Sequence, residues 1–120
     1  MQRTYQPIQH MSRAEINSAI TADEPRLLSC AVLSAALYDN DRQWAEDICV
    51  RLADHHDPNV RGNAILGFGH IARIHRSLNA RVKPLLERAL CDEDSYVRGH
   101  ANDATDDVEH FLKWKLRSTV

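Results

Sequence analysis

Seven histidines are the residues of this sequence whose type and spacing could most readily do chemistry. The run 55–57 reads His-His-Asp, and on a helix His100 would share one face with Asp103 or Asp107. Imidazole and carboxylate groups bind transition metals, but a helical site needs a second histidine at the i, i+4 position. Because no histidine has such a partner, we predict no metal site and no cofactor.

The motifs of covalent and phosphoryl-transfer catalysis are absent from the sequence as well. It has no Gly-x-Ser-x-Gly elbow and no glycine-rich phosphate loop after a strand. The run 67–69 (Gly-Phe-Gly) lies inside a predicted helix, where its amides are already bonded. Cys30, Cys49 and Cys91 fall within or at the end of apolar helical patterns, which predicts reduced, buried thiols. We therefore expect a protein that is not an enzyme.

Length and composition are those of one globular domain over residues 1–120. Fifteen Lys and Arg against seventeen Asp and Glu give a formal charge of −2, so no overall positive charge favours nucleic acid or an anionic membrane. No apolar run approaches the roughly 20 residues that cross a bilayer. The stretch 1–10 is polar and contains no signal-peptide core. Together with the reduced thiols expected above, these features predict a cytoplasmic protein.

Six helices are expected to position the polar residues. Apolar or small residues recur with a 3.6-residue period after Val60 and after Val97. Residues 12–15 form a capping box, and Asp23, Asp57 and Asp94 can cap later helices. The predicted helices lie at about 12–21, 24–38, 41–54, 58–75, 78–91 and 95–116. They pair as three antiparallel hairpins, at about 12–38, 41–75 and 78–116.

The sequence also repeats itself. Residues 57–64 (Asp-Pro-Asn-Val-Arg-Gly-Asn-Ala) and 94–101 (Asp-Ser-Tyr-Val-Arg-Gly-His-Ala) share Asp, Val-Arg-Gly and Ala in register, 37 residues apart. A fainter copy at 24–31 begins 33 residues earlier and lacks the Arg. Such periods are typical of arrays of helical hairpins, each too narrow to bury its apolar stripe alone. The three hairpins are therefore expected to stack.

Residues 83–101 resemble a known family. They read Lys-Pro-Leu-Leu-Glu-Arg-Ala-Leu-Cys-Asp-Glu-Asp-Ser-Tyr-Val-Arg-Gly-His-Ala, which looks like a HEAT repeat: a Pro-Leu-Leu first helix, an acidic turn and a Val-Arg-x-x-Ala second helix. Residues 41–75 are similar through Asp57, Val60, Arg61, Ala64 and Leu66-Gly67, and residues 12–38 by position only. The resemblance implies an all-α, right-handed stack of about three antiparallel helical hairpins, a HEAT-like α-solenoid.

The resemblance further implies a partner-binding protein whose second helices line a concave face. It also implies a structural ladder in which turn acids and Val-Arg arginines tie neighbouring repeats together. Here the ladder residues would be Asp57, Arg61, Asp94 and Arg98, and we expect them to touch no partner. HEAT-type iron hydroxylases carry repeated His-Glu pairs, which this sequence lacks.

A candidate binding surface follows if each apolar stripe faces the core, because the opposite face is found by adding 100° per residue. Inside a helix, glycine costs roughly 1 kcal/mol relative to alanine. The outward positions of Gly62, Gly69 and Gly99 therefore suggest either a partner's close approach or helix packing, whereas Gly67 points inward and suggests packing alone. Ser29 and Ala36 share the outward face. The predicted partner-binding residues are Leu33, Gly62, Leu66, Gly69, His70, Arg73, Gly99, His100, Asp103, Asp106, Asp107 and His110.

Charge is unevenly distributed along the chain. Five basic residues and one acid lie between Arg73 and Arg88, whereas seven acids and one arginine lie between Asp92 and Glu109. An acidic patch beside small residues, Leu33 and Leu66 would suit a basic protein partner. The alternative is a solvated helix face with two acidic turns.

Three classes of function fit these features. The first is an immunity protein, a monomer that binds and neutralises a nuclease-type toxin 1:1 in a contact-dependent inhibition or similar system. Small immunity proteins of that kind include HEAT-like examples. The second is a HEAT-repeat scaffold or a lyase-associated, chaperone-like subunit. The third is a nucleic-acid binder or glycosylase using the basic segment 73–88 with Trp44 or Trp114. Net acidity argues against the third class, and we expect no nucleic acid and no membrane as partner.

Overall fold

The structure, a computed structural model, describes residues 8–116. The predicted domain limits 1–120 and part of the polar stretch 1–10 lie outside the described residues. Residues 8–116 form six helices and no strand: α1 (Arg13–Ala22), α2 (Pro25–Tyr38), α3 (Arg42–Leu52), α4 (Pro58–His75), α5 (Val82–Leu90) and α6 (Ser95–Leu112). Consecutive helices pair as hairpins, and the hairpins stack through α2, α4 and α6. The all-α hairpin stack predicted from the sequence is confirmed.

Capping side chains begin most of these helices where the sequence predicts them. The capping box at 12–15 is formed, with each side chain bonded to the other residue's amide. Asp57 and Asp94 each accept hydrogen bonds from two amides of the following turn. Glu24 caps α2, whereas Asp23 ends α1 in the left-handed conformation. The prediction that Asp23 could cap a helix is thus wrong by one residue.

The central helix of the stack is α4, which packs against four other helices. Its side chains Val60, Ile65, Phe68 and Ile71 are fully buried. Burying an aliphatic or aromatic side chain of this size contributes about 1.5–3 kcal/mol. No helix among residues 8–116 is both long enough and apolar enough to traverse a lipid bilayer.

A buried carboxylate holds the connection between α4 and α5. Glu46 of α3 is 1% exposed and accepts hydrogen bonds from Arg42 (2.6 Å), the Asn79 amide (2.7 Å) and Arg81 (3.0 Å). A charge can be buried at this depth only when it is paired and bonded. Because these bonds fix residues 79–81 outside the helix, α5 begins at Val82 and not at the predicted residue 78.

Two glycines allow α4 and α6 to approach closely. A Cβ atom on Gly69 would lie 2.9 Å from Ala104 Cα, and one on Gly62 would lie 2.8 Å from Tyr96 Cδ2. On the other side of α4, a Cβ on Gly67 would lie 2.7 Å from Cys49 Sγ. The inward packing expected of Gly67 is confirmed. The outward orientation expected of Gly62 and Gly69 is wrong, because both face α6.

The cysteines are all free thiols, but only one of them is buried. Cys49 lies in the core, where burial raises the pKa of its thiol and the nearby Glu46 carboxylate raises it further. Cys30 and Cys91 are exposed, contrary to the expectation of buried thiols.

Candidate partner-binding surface

One side of the stack is left open by the second helices of the three hairpins. Helices α2, α4 and α6 pack directly on one another, whereas the outer helices α1, α3 and α5 make few or no contacts with each other over residues 8–116. The stack therefore curves toward α2, α4 and α6. We call their open side the concave face. It is formed by Arg26 and Cys30 of α2, by Asn59, Asn63, Leu66, His70 and Arg73 of α4, and by Tyr96, Gly99, His100, Asp103, Asp107 and His110 of α6.

Most of the predicted binding residues lie on this face. Those that the structure brings together there are Leu66, His70, Arg73, Gly99, His100, Asp103, Asp107 and His110. No atom that restricts substitution lies within 4 Å of a Cβ placed on Gly99, so that glycine is open to solvent as predicted. Asp106 is also exposed on α6, about one turn beyond Asp103.

Three predicted binding residues do not belong to the concave face. Leu33 is only 9% exposed and packs with the core, and Gly62 and Gly69 are covered by α6. Ala36, expected on the same outward side, is fully buried beside Gly67. The physical reason is that a second helix in a stack is covered on three sides. The position opposite its apolar stripe therefore meets the neighbouring hairpin and not solvent.

A hydrogen-bonded bridge crosses the face near the amino-terminal ends of its helices. Tyr96 Oη donates to Asn63 Oδ1 (2.7 Å), and Asn63 Nδ2 donates to the Ser29 carbonyl (3.1 Å). Helices α2, α4 and α6 are thereby joined through side chains. Neither Asn63 nor Tyr96 is among the residues predicted for the site. One feature of the sequence could have pointed to Asn63. Asparagine is unfavourable in the interior of a helix unless its side chain makes a specific hydrogen bond.

The two central histidines of the face are poorly charged at neutral pH. Burial lowers the pKa of His70, and Arg73, whose Nη2 lies 3.1 Å from His70 Nδ1, lowers it further, while Asp107 opposes the shift. Burial also lowers the pKa of His100, against the opposing charge of Asp103. Because a lowered histidine pKa favours the neutral ring, neither imidazole cancels the nearby carboxylates at pH 7.

The acids of residues 92–109 fall into two groups with different roles. Asp92 and Asp94 are used within the fold, the first in an ion pair and the second as a helix cap. Glu109 Oε2 accepts a hydrogen bond from the Leu116 amide (3.1 Å). The negative charge of the concave face therefore comes from Asp103 and Asp107.

Arg61 forms an ion-pair rung between the second hairpin and the third, which Arg81 and Glu46 also join. Arg61 donates from Nε and Nη2 to the two Asp92 oxygens (2.8 and 2.9 Å) and from Nη1 to the His55 carbonyl (3.0 Å). The first hairpin is tied to the second by Asp23 Oδ1 and His55 Nε2 (2.8 Å). Arg61, one of the predicted ladder residues, thus joins two neighbouring hairpins, and that it touches no partner stays a prediction.

The acids predicted for the ladder have a different role. Asp57 and Asp94 accept amides at the starts of α4 and α6, so their oxygens are directed at their own helices. The carboxylate that receives Arg61 comes from Asp92, two residues before the cap. Arg98 bonds only carbonyls of its own turn among residues 8–116. No three or more His, Cys, Asp or Glu side chains in that range are grouped to hold a metal ion.

This geometry has a counterpart among solved structures. The chain is similar to a chain of the crystal structure of the CDI complex from Cupriavidus taiwanensis LMG 19424, with a TM-score of 0.79 and 28% sequence identity. The match covers 92% of this chain and 98% of that chain. No family model matches the sequence, so none supports the HEAT assignment. No curated protein matches it either.

Proposed function

We propose that this chain is an immunity-type protein that binds a toxin of a contact-dependent inhibition or similar system and neutralises it. The observation that carries the proposal is the likeness to a chain of a CDI complex over nearly the whole length of both chains. A shared fold alone does not fix function, but here the likeness includes 28% identity. On this proposal the chain acts by binding and not by catalysis.

We infer that the hairpins are HEAT-like repeats. Two arginines 37 residues apart support this inference, because they make the same bonds. Arg61 Nη1 donates to the carbonyls of residues 55 and 56, and Arg98 Nη1 donates to those of residues 92 and 93. The sequence repeat is thus accompanied by a repeat in side-chain geometry.

The concave face is the surface that we propose for the toxin. Its α6 side carries Asp103 and Asp107 beside imidazoles whose lowered pKa keeps them neutral. Leu66 adds a half-buried apolar contact on α4. The two carboxylates on the α6 side of the face favour a basic segment of the partner and speed its association, whereas Arg26 and Arg73 lie on the α2 and α4 sides. A nuclease, which must hold a polyanion, is a partner of that chemistry. We propose a 1:1 complex in the cytoplasm.

Growth rescue is the direct test of this function. The toxin domain encoded next to this chain would be expressed in a bacterial host with and without the chain. We expect arrest without it, growth with it, and nanomolar affinity between the purified proteins. If the neighbouring gene product is not toxic, or is toxic and neither binds nor is neutralised, the proposal is wrong.

A matched pair of charge reversals tests the concave face separately. Asp103→Arg places a positive charge on the face, whereas Glu87→Arg makes the same change on the exposed side of the outer helix α5. We expect Asp103→Arg to weaken toxin binding about tenfold or more, because like charges meet across the interface. Glu87→Arg should leave affinity within about twofold. Equal effects of the two variants would remove the concave face from the proposal.

A further inference from the structure

The ion pair between Arg61 and Asp92 shows which group the arginines of the repeated Val-Arg-Gly segment can bind. Its Nη1 atom is held by the carbonyls of its own turn, at residues 55 and 56. That anchoring leaves Nε and Nη2 as a parallel pair of donors, which bind both oxygens of Asp92 in the next hairpin. Two parallel N–H donors match a carboxylate and are more selective than a single ammonium group.

Arg98 occupies the equivalent place in the last hairpin. Its Nη1 donates to the Asp92 carbonyl (2.8 Å) and the Glu93 carbonyl (3.0 Å), at the same offsets of six and five residues. The guanidinium is therefore oriented as that of Arg61 is. In the described part of the chain, the Arg98 side chain donates only to those two carbonyls, Asp92 acts on its charge from a longer distance, and the residue is exposed. The arginine of a rung is therefore already in position, and the carboxylate that would pair with it has to come from another molecule.

A second copy of this chain is a poor candidate to complete the rung. To continue the stack, another hairpin would have to lie along the outer side of α6. Residues 113–116 already return along that helix, where Leu116 is 5% exposed and its amide is bonded to Glu109. The space beside the carboxyl-terminal half of α6 is therefore occupied. A partner side chain that extends only to the turn between α5 and α6 can still reach Arg98.

We infer that Arg98 is a binding residue for an Asp or Glu side chain of the partner protein, which completes the open rung as Asp92 completes that of Arg61. The inference rests on the proposed function insofar as it takes the toxin as that partner. It places a carboxylate contact at the end of the stack, beyond the acidic part of the concave face. The partner would then contact both an acidic and a basic element, which fixes its orientation.

Affinity measurements with matched arginine variants test the inference. The toxin domain encoded beside this chain would be titrated against wild type, Arg98→Gln, Arg98→Lys and the control Arg51→Gln, which removes the same charge from an exposed site on α3. We expect Arg98→Gln to weaken binding about tenfold or more. Arg98→Lys should restore only part of the loss, because an ammonium group cannot donate two parallel bonds. Arg51→Gln should stay within about twofold.

The carboxylate is identified by replacing each acid of the toxin domain with its amide and combining each change with Arg98→Gln. We expect one acid whose loss has no further effect once Arg98 is gone. In wild-type protein, the Arg98 Nε–H proton should exchange rapidly when free and become protected in the complex, as that of Arg61 is in both states. This second measurement does not depend on how well the variants fold.

The outcomes separate the two proposals. If wild type binds the toxin but Arg98→Gln behaves like Arg51→Gln, or if Arg98 Nε–H gains no protection, the inference about Arg98 is overturned and the immunity function stands. If Arg98→Gln weakens binding but no single acid couples to it, the contact is not a carboxylate and the inference also falls. If wild type does not bind at all, the proposed function and the inference fail together.

Discussion

The close contact of α4 with α6 makes a sharp prediction for Gly69. In Gly69→Ala, the new Cβ would lie 2.9 Å from Ala104 Cα and 3.3 Å from Ala104 Cβ. The nearest of these atoms is backbone, so relief requires that one helix move. Overpacking of this kind costs about 1–3 kcal/mol. Alanine in a helix interior gains about 1 kcal/mol over glycine, which leaves a net loss of about 0–2 kcal/mol.

Gly99→Ala is the matched control, because it makes the same change in α6 where nothing lies within 4 Å of the new Cβ. That variant should be stabilised by up to about 1 kcal/mol. The propensity gain is common to both variants, so the difference between them isolates the steric cost of about 1–3 kcal/mol. For a chain of this size the difference corresponds to a Tm gap of roughly 4–12 °C.

Urea unfolding followed by circular dichroism, with thermal melts of the same samples, would measure this gap. The slope of the urea transition should be the same for both variants, so that the midpoints report stability alone. If Gly69→Ala is as stable as Gly99→Ala, the two helices are not in the close contact described above. The packing role assigned to Gly69 would then be wrong, and a role in partner contact would return.

Three further predictions concern the polar groups and the core. Glu46→Gln should lose about 3 kcal/mol, because the amide cannot hold Arg81 as a buried carboxylate does; an unchanged urea midpoint would contradict this. Asp92→Asn should lose about 1–3 kcal/mol at pH 7 by breaking its pair with Arg61. The Arg61 guanidinium lowers the pKa of Asp92. The stability that the ion pair contributes is therefore full above the unfolded pKa and is lost progressively as pH falls from that value through the lower folded pKa. The stability gap between wild type and Asp92→Asn should accordingly narrow as the solution is acidified; a gap at pH 3 as large as that at pH 7 would oppose this. Ala101→Asp, at a fully buried position, should abolish the helical far-UV signal.

The order of the helices and the limits of α1 to α4 could be predicted to within two residues, because their signals are local, whereas α6 ends at Leu112 and not at the predicted residue 116. Asp57 and Asp94 cap the helices that follow them, as expected from their position before each Val-Arg-Gly segment. The start of α5 was predicted about four residues too early. Its true start depends on Glu46, which is 33 residues from Asn79 in sequence. A local sequence pattern cannot predict a hydrogen bond between residues so far apart in the chain.

The candidate site could be predicted only in part, because its limits are set by neighbouring hairpins. Adding 100° per residue placed Gly62, Gly69 and Asp103 on one surface. The structure keeps Asp103 there and turns both glycines against α6. The rule finds the side opposite the apolar stripe, but it does not tell a terminal helix from one enclosed between two others. For α6, at the end of the stack, the rule holds better than for α4.

The same glycine contacts also determine the charge of the proposed binding surface. Gly62 and Gly69 allow α6 to lie close to α4; a Cβ on Gly62 would be 3.3 Å from His100 Cδ2, and both His70 and His100 are half-buried. Burial is the main reason that the pKa of each is lowered. Neutral imidazoles add no positive charge beside the carboxylates of Asp103 and Asp107 at pH 7. The acidic character proposed for toxin binding is therefore a consequence of helix packing as well as of the acids present in the sequence.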